Sequence, residues 1–491
     1  MTAGLDWTGV LDALRRADVL VDAPASGTRP TEVTMDSRAV GRGALYVAVR
    51  GSQLDGHAFV ADAAQRGASA VIVESPQGSS VPEIVVRDGR RAALALGAAW
   101  YDTPGRRLRM IGITGTNGKT TTSGLIRHLL NAQASAASIG TLGAFDGRGD
   151  PVESTAGSLT TPGPIDLQAT LAALVERGTT DVAMETSSHS LDQGRLDGLV
   201  FAAAVYTNLT RDHLDYHGTM EAYLAAKLKL SAQLATTGAE IVNLDDTAWR
   251  ALRTSARRFT FGLDPAADVS ARGVALGADG SRFRLVTRFG SADASLPLLG
   301  DFNVANALAA AATALALGRP LEEVVARLAA APQIPGRMEQ ISTQPCVVLR
   351  DYAHTPDALE RALATLRPLT AGRLVAVFGC GGDRDKGKRP LMGRVAARLA
   401  DVAVVTSDNP RTEDPDAIID DIEQGMDGRA HLRVTDRLAA IHAALALARP
   451  GDTLLLAGKG HETYQIVGTE RLPFDERELV RHAVGLDVDG A

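Results

Sequence analysis

Short apolar runs recur along the chain, each followed by a polar or Gly-rich turn and then by an Ala- and Leu-rich stretch with helical spacing. In a first block, residues 1–103, the runs Ala44–Val49 and Ala70–Val73 alternate with Ala-rich helical patterns, which predicts an α/β domain without a phosphate loop. A second block, residues 104–334, opens with a buried strand at Leu108–Thr114. A glycine turn follows, then a helix from Ser123 onward that places Leu125, Ile126, Leu129 and Leu130 on one face. Further strands are expected at Asp181–Met184 and Ala203–Tyr206, with a buried Ala-rich helix over Asn303–Leu317. The Pro332–Pro335 stretch ends this block and is the expected hinge about which the last domain swings. The third block, residues 335–491, repeats the rhythm with strands at Cys346–Leu349, Arg373–Phe378, Val402–Thr406 and Thr453–Ala457, whose C-terminal loops are expected to carry function. The fold class that follows is α/β in three domains. A central, mostly parallel P-loop-type sheet is flanked by an N-terminal α/β domain and a C-terminal Rossmann-like domain. No solenoid repeat or low-complexity tract interrupts it.

Composition narrows the function classes. With 491 residues, 45% hydrophobic and 22% charged, the chain has an ordinary globular balance. Its net charge of -7 and lack of a basic stripe argue against nucleic-acid binding. Cys346 and Cys380 are far apart and form no CxxC or Cys/His cluster, so neither a disulfide framework nor a structural zinc is expected. The N-terminus lacks a basic region before a long apolar run, and Ala307–Leu317 is far shorter than the roughly 20 residues of a membrane span. A cytoplasmic protein with no membrane insertion is the expectation. Lysine is scarce: only 119, 227, 229, 386, 388 and 459 carry it, against 51 basic residues in all. A retained lysine therefore points to a place where a compact ammonium or an amine nucleophile serves and a planar guanidinium does not.

The strongest local signal is Gly115-Thr116-Asn117-Gly118-Lys119-Thr120-Thr121, between a strand and a helix. Small residues there let backbone N–H groups close on phosphate oxygens, with Lys119 on the β/γ-phosphates and Thr120 on Mg²⁺. Ile113 stands where a strict Walker A loop has its first glycine. Downstream, Glu185-Thr186-Ser187-Ser188-His189 and Thr207-Asn208-Leu209-Thr210-Arg211-Asp212-His213 each follow a strand and gather carboxylates and imidazoles where α/β sites lie. Glu185 and His213 suit a divalent cation, although spacing alone fits a capping or solvated role equally well. Lys227 lies on a short helix, and by itself reads as a surface lysine.

Taken together with Asp351-Tyr352-Ala353-His354-Thr355-Pro356, Gly379-Cys380-Gly381-Gly382-Asp383-Arg384-Asp385-Lys386-Gly387-Lys388 and Asp408-Asn409-Pro410-Arg411, these motifs resemble the Mur ligases of peptidoglycan synthesis. The resemblance spans nearly the whole chain, and is strongest to the members that add meso-2,6-diaminopimelate. It implies ATP-driven amide synthesis: the D-glutamyl γ-carboxylate of UDP-N-acetylmuramoyl-L-alanyl-D-glutamate is phosphorylated, an amine attacks the acyl phosphate, and phosphate leaves. It also implies ATP and Mg²⁺ as cofactors and a CO₂-derived carbamate on Lys227. The catalytic set would be Lys119, Glu185, His213 and Lys227, with Thr120, Glu185, His213 and the carbamate about the metal.

The same resemblance assigns ATP to Gly115–Thr121, Asn306, Arg337 and Asp351, with Asn303 beside them; Asn306 fits a helix-interior polar contact equally. It assigns the UDP-muramoyl dipeptide to Met35, Ser37, Ser52, Gln53, Leu54, Thr160, Thr161, Ser187, Gln193 and Arg195. Without the family, the loops of Ser37 and of Ser52–Leu54 read as polar surface. Gly163 departs from the acidic residue expected in many relatives. For diaminopimelate it assigns Arg384, Asp408, Asn409, Pro410, Arg411, Gly458 and Glu462. Arg411 would read the distal carboxylate that lysine lacks, Arg384 and Glu462 would supply complementary charges, and Glu462 would accept from the distal ammonium. The bland reading of Asn409-Pro410 is a turn with a solvated arginine. Other readings are a lysine-adding ligase, a folylpolyglutamate synthase, or an inactive sensor of the wall precursor. A monomer is expected.

Overall fold

The computed structural model describes residues 4–51, 54–153, 159–253 and 256–486. Ser52 and Gln53, two expected contacts of the UDP moiety, lie outside the described residues. The chain forms two compact units: residues 1–270 with 286–290 and 306–324, and residues 271–285 with 291–305 and 325–491.

The first unit contains two sheets. The N-terminal one runs Leu20–Asp22, Glu83–Val86, Ala70–Val73, Leu45–Val47, Val33–Thr34, with only the first strand antiparallel. Its strands Leu45–Val47 and Ala70–Val73 are apolar throughout and wholly buried, as a parallel sheet covered on both faces requires. The helix Gly89–Trp100 packs on Pro164–Glu176, and Gly97 is the residue that lets them approach, since a Cβ there would lie 3.1 Å from Ile165 Cα.

In the second sheet of this unit, Arg257–Gly262, Leu234–Asn243, Phe201–Tyr206, Arg109–Thr114, Asp181–Glu185 and Ala136–Gly140 are parallel neighbours in that order. Two short antiparallel strands, Gly143–Phe145 and Pro151–Val152, finish one edge. Arg109–Thr114 is central and leads into the helix Lys119–Leu130. Leu125, Ile126, Leu129 and Leu130 of that helix are fully buried, each worth about 2 kcal/mol of apolar burial. Parallel alignment puts Thr114, Glu185, Tyr206 and Gly140 at one end of the sheet, so the loops that follow them share an edge.

The second unit holds a sheet ordered Glu339–Ser342, Val347–Asp351, Thr453–Ala457, Leu374–Phe378, Val402–Val405, Leu432–Arg433, parallel except for the first strand. Leu349, Leu455, Ala376 and Phe378 point to one packed face, with Leu359, Leu363, Met392 and Ile419 from covering helices. A hairpin, Tyr464–Val467 with Glu470–Pro473, follows the last long strand.

The strands expected from the apolar runs are present within a few residues of their expected limits. Residues 269–296 differ: they form three strands, Val269–Gly277, Gly280–Thr287 and Gly290–Leu296, that the apolar-run reading does not anticipate. Buried and exposed positions alternate over part of the second and third, and in the first only residues 269–271 are buried, so no continuous apolar run marks them.

Candidate functional site

The phosphate-loop signal is realised as a strand–turn–helix. Gly115 and Gly118 have φ of +147° and +84°. A side chain at Gly115 would run into Thr207 Oγ1, and one at Gly118 into Asn306 Oδ1, so the loop needs glycine at both points. Gly118 is the N-cap of the helix and offers no side-chain acceptor to its first N–H groups, which is how an anion-binding helix start is built. The loop is held from behind by Asn208, whose carbonyl accepts from Thr116 N (2.7 Å) and whose Oδ1 accepts from Asn117 N (2.9 Å). Thr207 Oγ1 donates to Asn117 O at 2.7 Å. Lys119 Nζ folds back onto Gly115 O (2.9 Å) and Thr116 O (2.8 Å). Thr120 and Thr121 are buried on the first turn, and Thr122 Oγ1 donates to Asn306 Oδ1 at 3.3 Å.

Lys227 overturns its simplest reading from spacing. It is no surface lysine but 1% exposed, on the helix Met220–Leu228, whose N-cap Thr219 accepts from Ala222 N, a cap worth about 1 kcal/mol. Its Nζ donates to Gly115 O at 2.8 Å and lies 4.3 Å from the Tyr223 ring centre. Burial, reinforced by nearby Lys119, drives its pKa well below the ordinary lysine value, which favours the neutral, nucleophilic amine. Lys229 on the same segment is solvated and pairs with Asp192 at 2.7 Å.

Glu185 ends its strand 1% exposed. Thr141 serves both its oxygens, N to Oε1 at 2.9 Å and Oγ1 to Oε2 at 3.1 Å, and Gly140 lacks the Cβ that would strike Oε1. Sequence reasoning missed Gly140 and Thr141; the available signal was a Gly-Thr pair closing a strand on the edge that bears the phosphate loop. Thr141 Oγ1 also bonds Thr160 Oγ1 at 3.2 Å, so an expected dipeptide contact and the expected metal carboxylate share one threonine.

His213 adopts φ +52° and caps a short helix. Its ring lies edge-on to His189 at 4.9 Å, in a stack that continues through Tyr216 and His217. Burial lowers the pKa of His213 against the opposing pull of Asp212, with Lys119 adding to the fall, and burial pushes His189 down to about 4. Both rings are thereby kept neutral, the state in which imidazole ligates a metal. Among the described residues no three His, Cys, Asp or Glu side chains converge as metal ligands.

Thr161 Oγ1 donates to Glu185 O (2.8 Å) and accepts from Ser187 N (3.1 Å), and its carbonyl accepts from Arg195 Nη1 (3.2 Å). Gln193 Oε1 takes both Nε and Nη2 of Arg195, at 2.9 and 2.6 Å. Arg90, at the start of the helix Gly89–Trp100, donates to Gln193 O at 3.2 Å. Thr160, Thr161, Ser187, Gln193 and Arg195 are therefore one connected network beside Glu185. Met35 packs partly buried on the N-terminal core, Ser37 opens a helical turn capped by Asp36, and Leu54 stands exposed.

In the second unit the expected amino-acid contacts lie on loops after Leu374–Phe378, Val402–Val405 and Thr453–Ala457. Asn409 Nδ2 donates to Glu462 Oε2 at 2.9 Å, and Lys459 Nζ lies 3.3 Å from the same oxygen. Gly458, at φ +117°, brings its backbone close to the Asp408 carboxylate, which a Cβ would meet at 3.6 Å. Arg411, at φ +52°, donates from Nη1 to Gly382 O (2.8 Å) and from N to Ile466 O (3.1 Å). Gly381 lies between the two arginines: a Cβ there would be 2.9 Å from Arg411 Nη1 and 3.8 Å from Arg384 Cγ. Gly382 has no room for a side chain against Pro410 O. The buried cation facing Glu462 is Lys459, while Arg384 is exposed and donates to Asp383 O at 3.4 Å. Asp351 accepts from Met338 N at 2.7 Å, and burial pushes its carboxyl up to about 6 against the opposing pull of Arg337. Arg337 itself lies 4.7 Å over the Tyr352 ring. Asn303 Nδ2 donates to Leu299 O at 2.8 Å.

A phosphate loop with its lysine, a buried carboxylate on the neighbouring strand and a cluster of charged side chains on the loops of a second parallel sheet are parts found in an ATP-dependent ligase. Three family models match in order: "Mur ligase family, catalytic domain" at residues 30–98, "Mur ligase middle domain" at 113–314, and "Mur ligase, glutamate ligase domain" at 336–460. The chain is 46% identical to the UDP-N-acetylmuramoyl-L-alanyl-D-glutamate–2,6-diaminopimelate ligase of Geobacillus kaustophilus, over 92% of this chain and 94% of that one. It is 45% identical to the protein of the same name from Gloeobacter violaceus, over 92% and 93%. A solved structure bearing that name superposes with a TM-score of 0.65 at 36% identity, covering 99% of each chain. The chain belongs to the Mur ligase family, whose members form amide bonds at the expense of ATP. Among the described residues no helix is long and apolar enough to cross a membrane.

Proposed function

We propose that this ligase joins meso-2,6-diaminopimelate to the D-glutamyl γ-carboxylate of UDP-N-acetylmuramoyl-L-alanyl-D-glutamate, with ATP converted to ADP and phosphate. The observation that carries the choice of amino acid is the charged cluster in the second unit, where Arg411 and Arg384 flank Gly381 and where Glu462, Asn409 and Asp408 gather. An amino acid with a second zwitterionic head needs both signs of charge there. A site built around Arg411 leaves that guanidinium without a carboxylate partner when lysine binds.

In the first unit the Gly115–Thr121 backbone and Lys119 would hold the ATP phosphates. Thr120, Glu185, His213 and a carbamate on Lys227 would hold Mg²⁺, and the neutral buried amine of Lys227 fits the addition of CO₂. Bound there, the metal neutralises charge on the transferring phosphoryl group. Thr141 and Gly140 keep Glu185 aimed, Asn208 fixes the loop, and the Thr161–Ser187–Gln193–Arg195 network orients the dipeptide beside them. The γ-carboxylate oxygen bonds to the γ-phosphorus as ADP leaves. The amine then attacks the carbonyl carbon, and phosphate departs with that oxygen. Asn306, Arg337 and Asp351 are assigned to the nucleotide, and Met35, Ser37, Ser52, Gln53 and Leu54 to the UDP end. Division into domains at 103/104 and 334/335, a cytoplasmic location and a monomeric state belong to the same reading.

Heavy oxygen placed in the γ-carboxylate tests the chemistry. One labelled oxygen is expected in each phosphate released, and Lys227→Ala is expected to lower turnover by at least about 100-fold. Unlabelled phosphate at full coupling to product would contradict the acyl phosphate.

A further inference from the structure

Lys459 was assigned no role by its motif, yet it is the most enclosed cation of the second unit's charged cluster. It follows the strand Thr453–Ala457 between Gly458 and Gly460, both at positive φ, and its side chain is 0% exposed. In a chain that uses arginine almost everywhere, a lysine sits at this buried point. Its Nζ donates to Asn409 Oδ1 at 3.0 Å, faces Glu462 Oε2 at 3.3 Å and stands 3.7 Å from Asp408 Oδ1. The rings of Tyr464 and Phe474 lie 5.8 and 6.0 Å away.

The geometry settles the orientation of Asn409. Its Oδ1 accepts from Lys459 and also from Ile466 N at 2.9 Å, and two donors on one atom identify that atom as the oxygen. Nδ2 is thereby turned to Glu462 Oε2 at 2.9 Å. A compact ammonium can reach Asn409, Glu462 and the vicinity of Asp408 from one point, which a planar guanidinium does not. Asp408 and Glu462 both face this one ammonium, an arrangement suited to a ligand that brings an ammonium of its own. Asp408 Oδ1 is buried without a hydrogen-bond partner, an acceptor still open to such a donor.

We propose that Lys459 is the positioning residue for the amino-acid substrate: directly and through the Asn409 amide it fixes the Glu462 carboxylate as a preset acceptor for the ligand's ammonium. The proposal rests on the diaminopimelate reading above. Lys459 itself does not touch the reacting carboxylate; it acts through Asn409 and Glu462.

The test is steady-state kinetics of Lys459→Met and Lys459→Gln, alone and in an Asn409→Ala background, varying meso-diaminopimelate, ATP and the UDP-muramoyl dipeptide in turn. Lys459→Met is expected to raise KM for diaminopimelate about 10- to 100-fold, from the loss of charge-assisted hydrogen bonds. KM for ATP and for the dipeptide should stay within about twofold. In the Asn409→Ala background the further effect of Lys459→Met should shrink to within about threefold, because residues acting as one unit are not additive. Lys459→Gln keeps a donor in the buried site, and carries the test if the methionine variant fails to fold. An unchanged KM for diaminopimelate, a parallel rise for all three substrates, or full additivity with Asn409→Ala would each overturn the role of Lys459. Failure of the wild-type protein to turn over diaminopimelate would instead overturn the substrate reading on which the proposal rests.

Discussion

Asp351 shows how a single residue at a strand end makes the stability of the second unit depend on pH. Burial pushes its carboxyl from 3.8 to about 6, with Arg337 and the Met338 amide pulling the other way. The folded protein therefore holds this proton more tightly than the unfolded chain. The stabilising contribution is fully present below 3.8 and is lost as pH rises through about 6. Asp351→Asn, which keeps an acceptor for Met338 N, should flatten that dependence. In urea unfolding, the stability of the wild type relative to the variant is expected to fall by roughly 2 kcal/mol between the two ends of this window. A difference that does not move with pH would contradict it. At this scale the sequence was informative about residue type and silent about environment. The spacing of Lys227 fits a surface lysine, and only the fold shows it buried against Gly115 O. Thr141 was unreadable for the same reason: its partner Glu185 is 44 residues away, and pairing of the two strands brings them together.

Among the elements, what carries the sites is the end of a parallel strand followed by a glycine-rich turn. Such elements were legible because buried parallel strands read as unbroken apolar runs, as at Arg109–Thr114, Leu374–Phe378 and Thr453–Ala457. The three strands within residues 269–296 were not, because buried and exposed positions are mixed along them. The glycines have a sharper meaning than flexibility. Gly382 abuts the Pro410 carbonyl, so it sets how closely the loop after Leu374–Phe378 approaches the Asp408–Arg411 turn. Gly382→Ala must displace that turn and is expected to raise KM for the amino acid by about 10-fold or more, with KM for ATP unchanged. Equal kinetics for variant and wild type would show that the turn does not depend on this contact.

For the whole molecule, function was legible from the order of several motifs rather than from any one of them. The phosphate loop lacks the first Walker glycine, and Glu185, His213 and Asn409 each have an ordinary reading when taken singly. Their order along the chain points to one family, and the family models match in that order. The fold adds the supporting residues, Thr141, Asn208, Lys459 and the Gly381–Gly382 pair, that a motif cannot show because their partners are distant in sequence. The central claim is a ligase that distinguishes diaminopimelate from lysine through Arg411. Its most direct test is product formation by the purified chain with ATP, Mg²⁺ and the UDP-muramoyl dipeptide, offering meso-diaminopimelate or L-lysine to the wild type and to Arg411→Ala. A preference for diaminopimelate of at least about 100-fold is expected in the wild type, collapsing in the variant. Preferential use of lysine, or a preference that survives Arg411→Ala, would contradict the account.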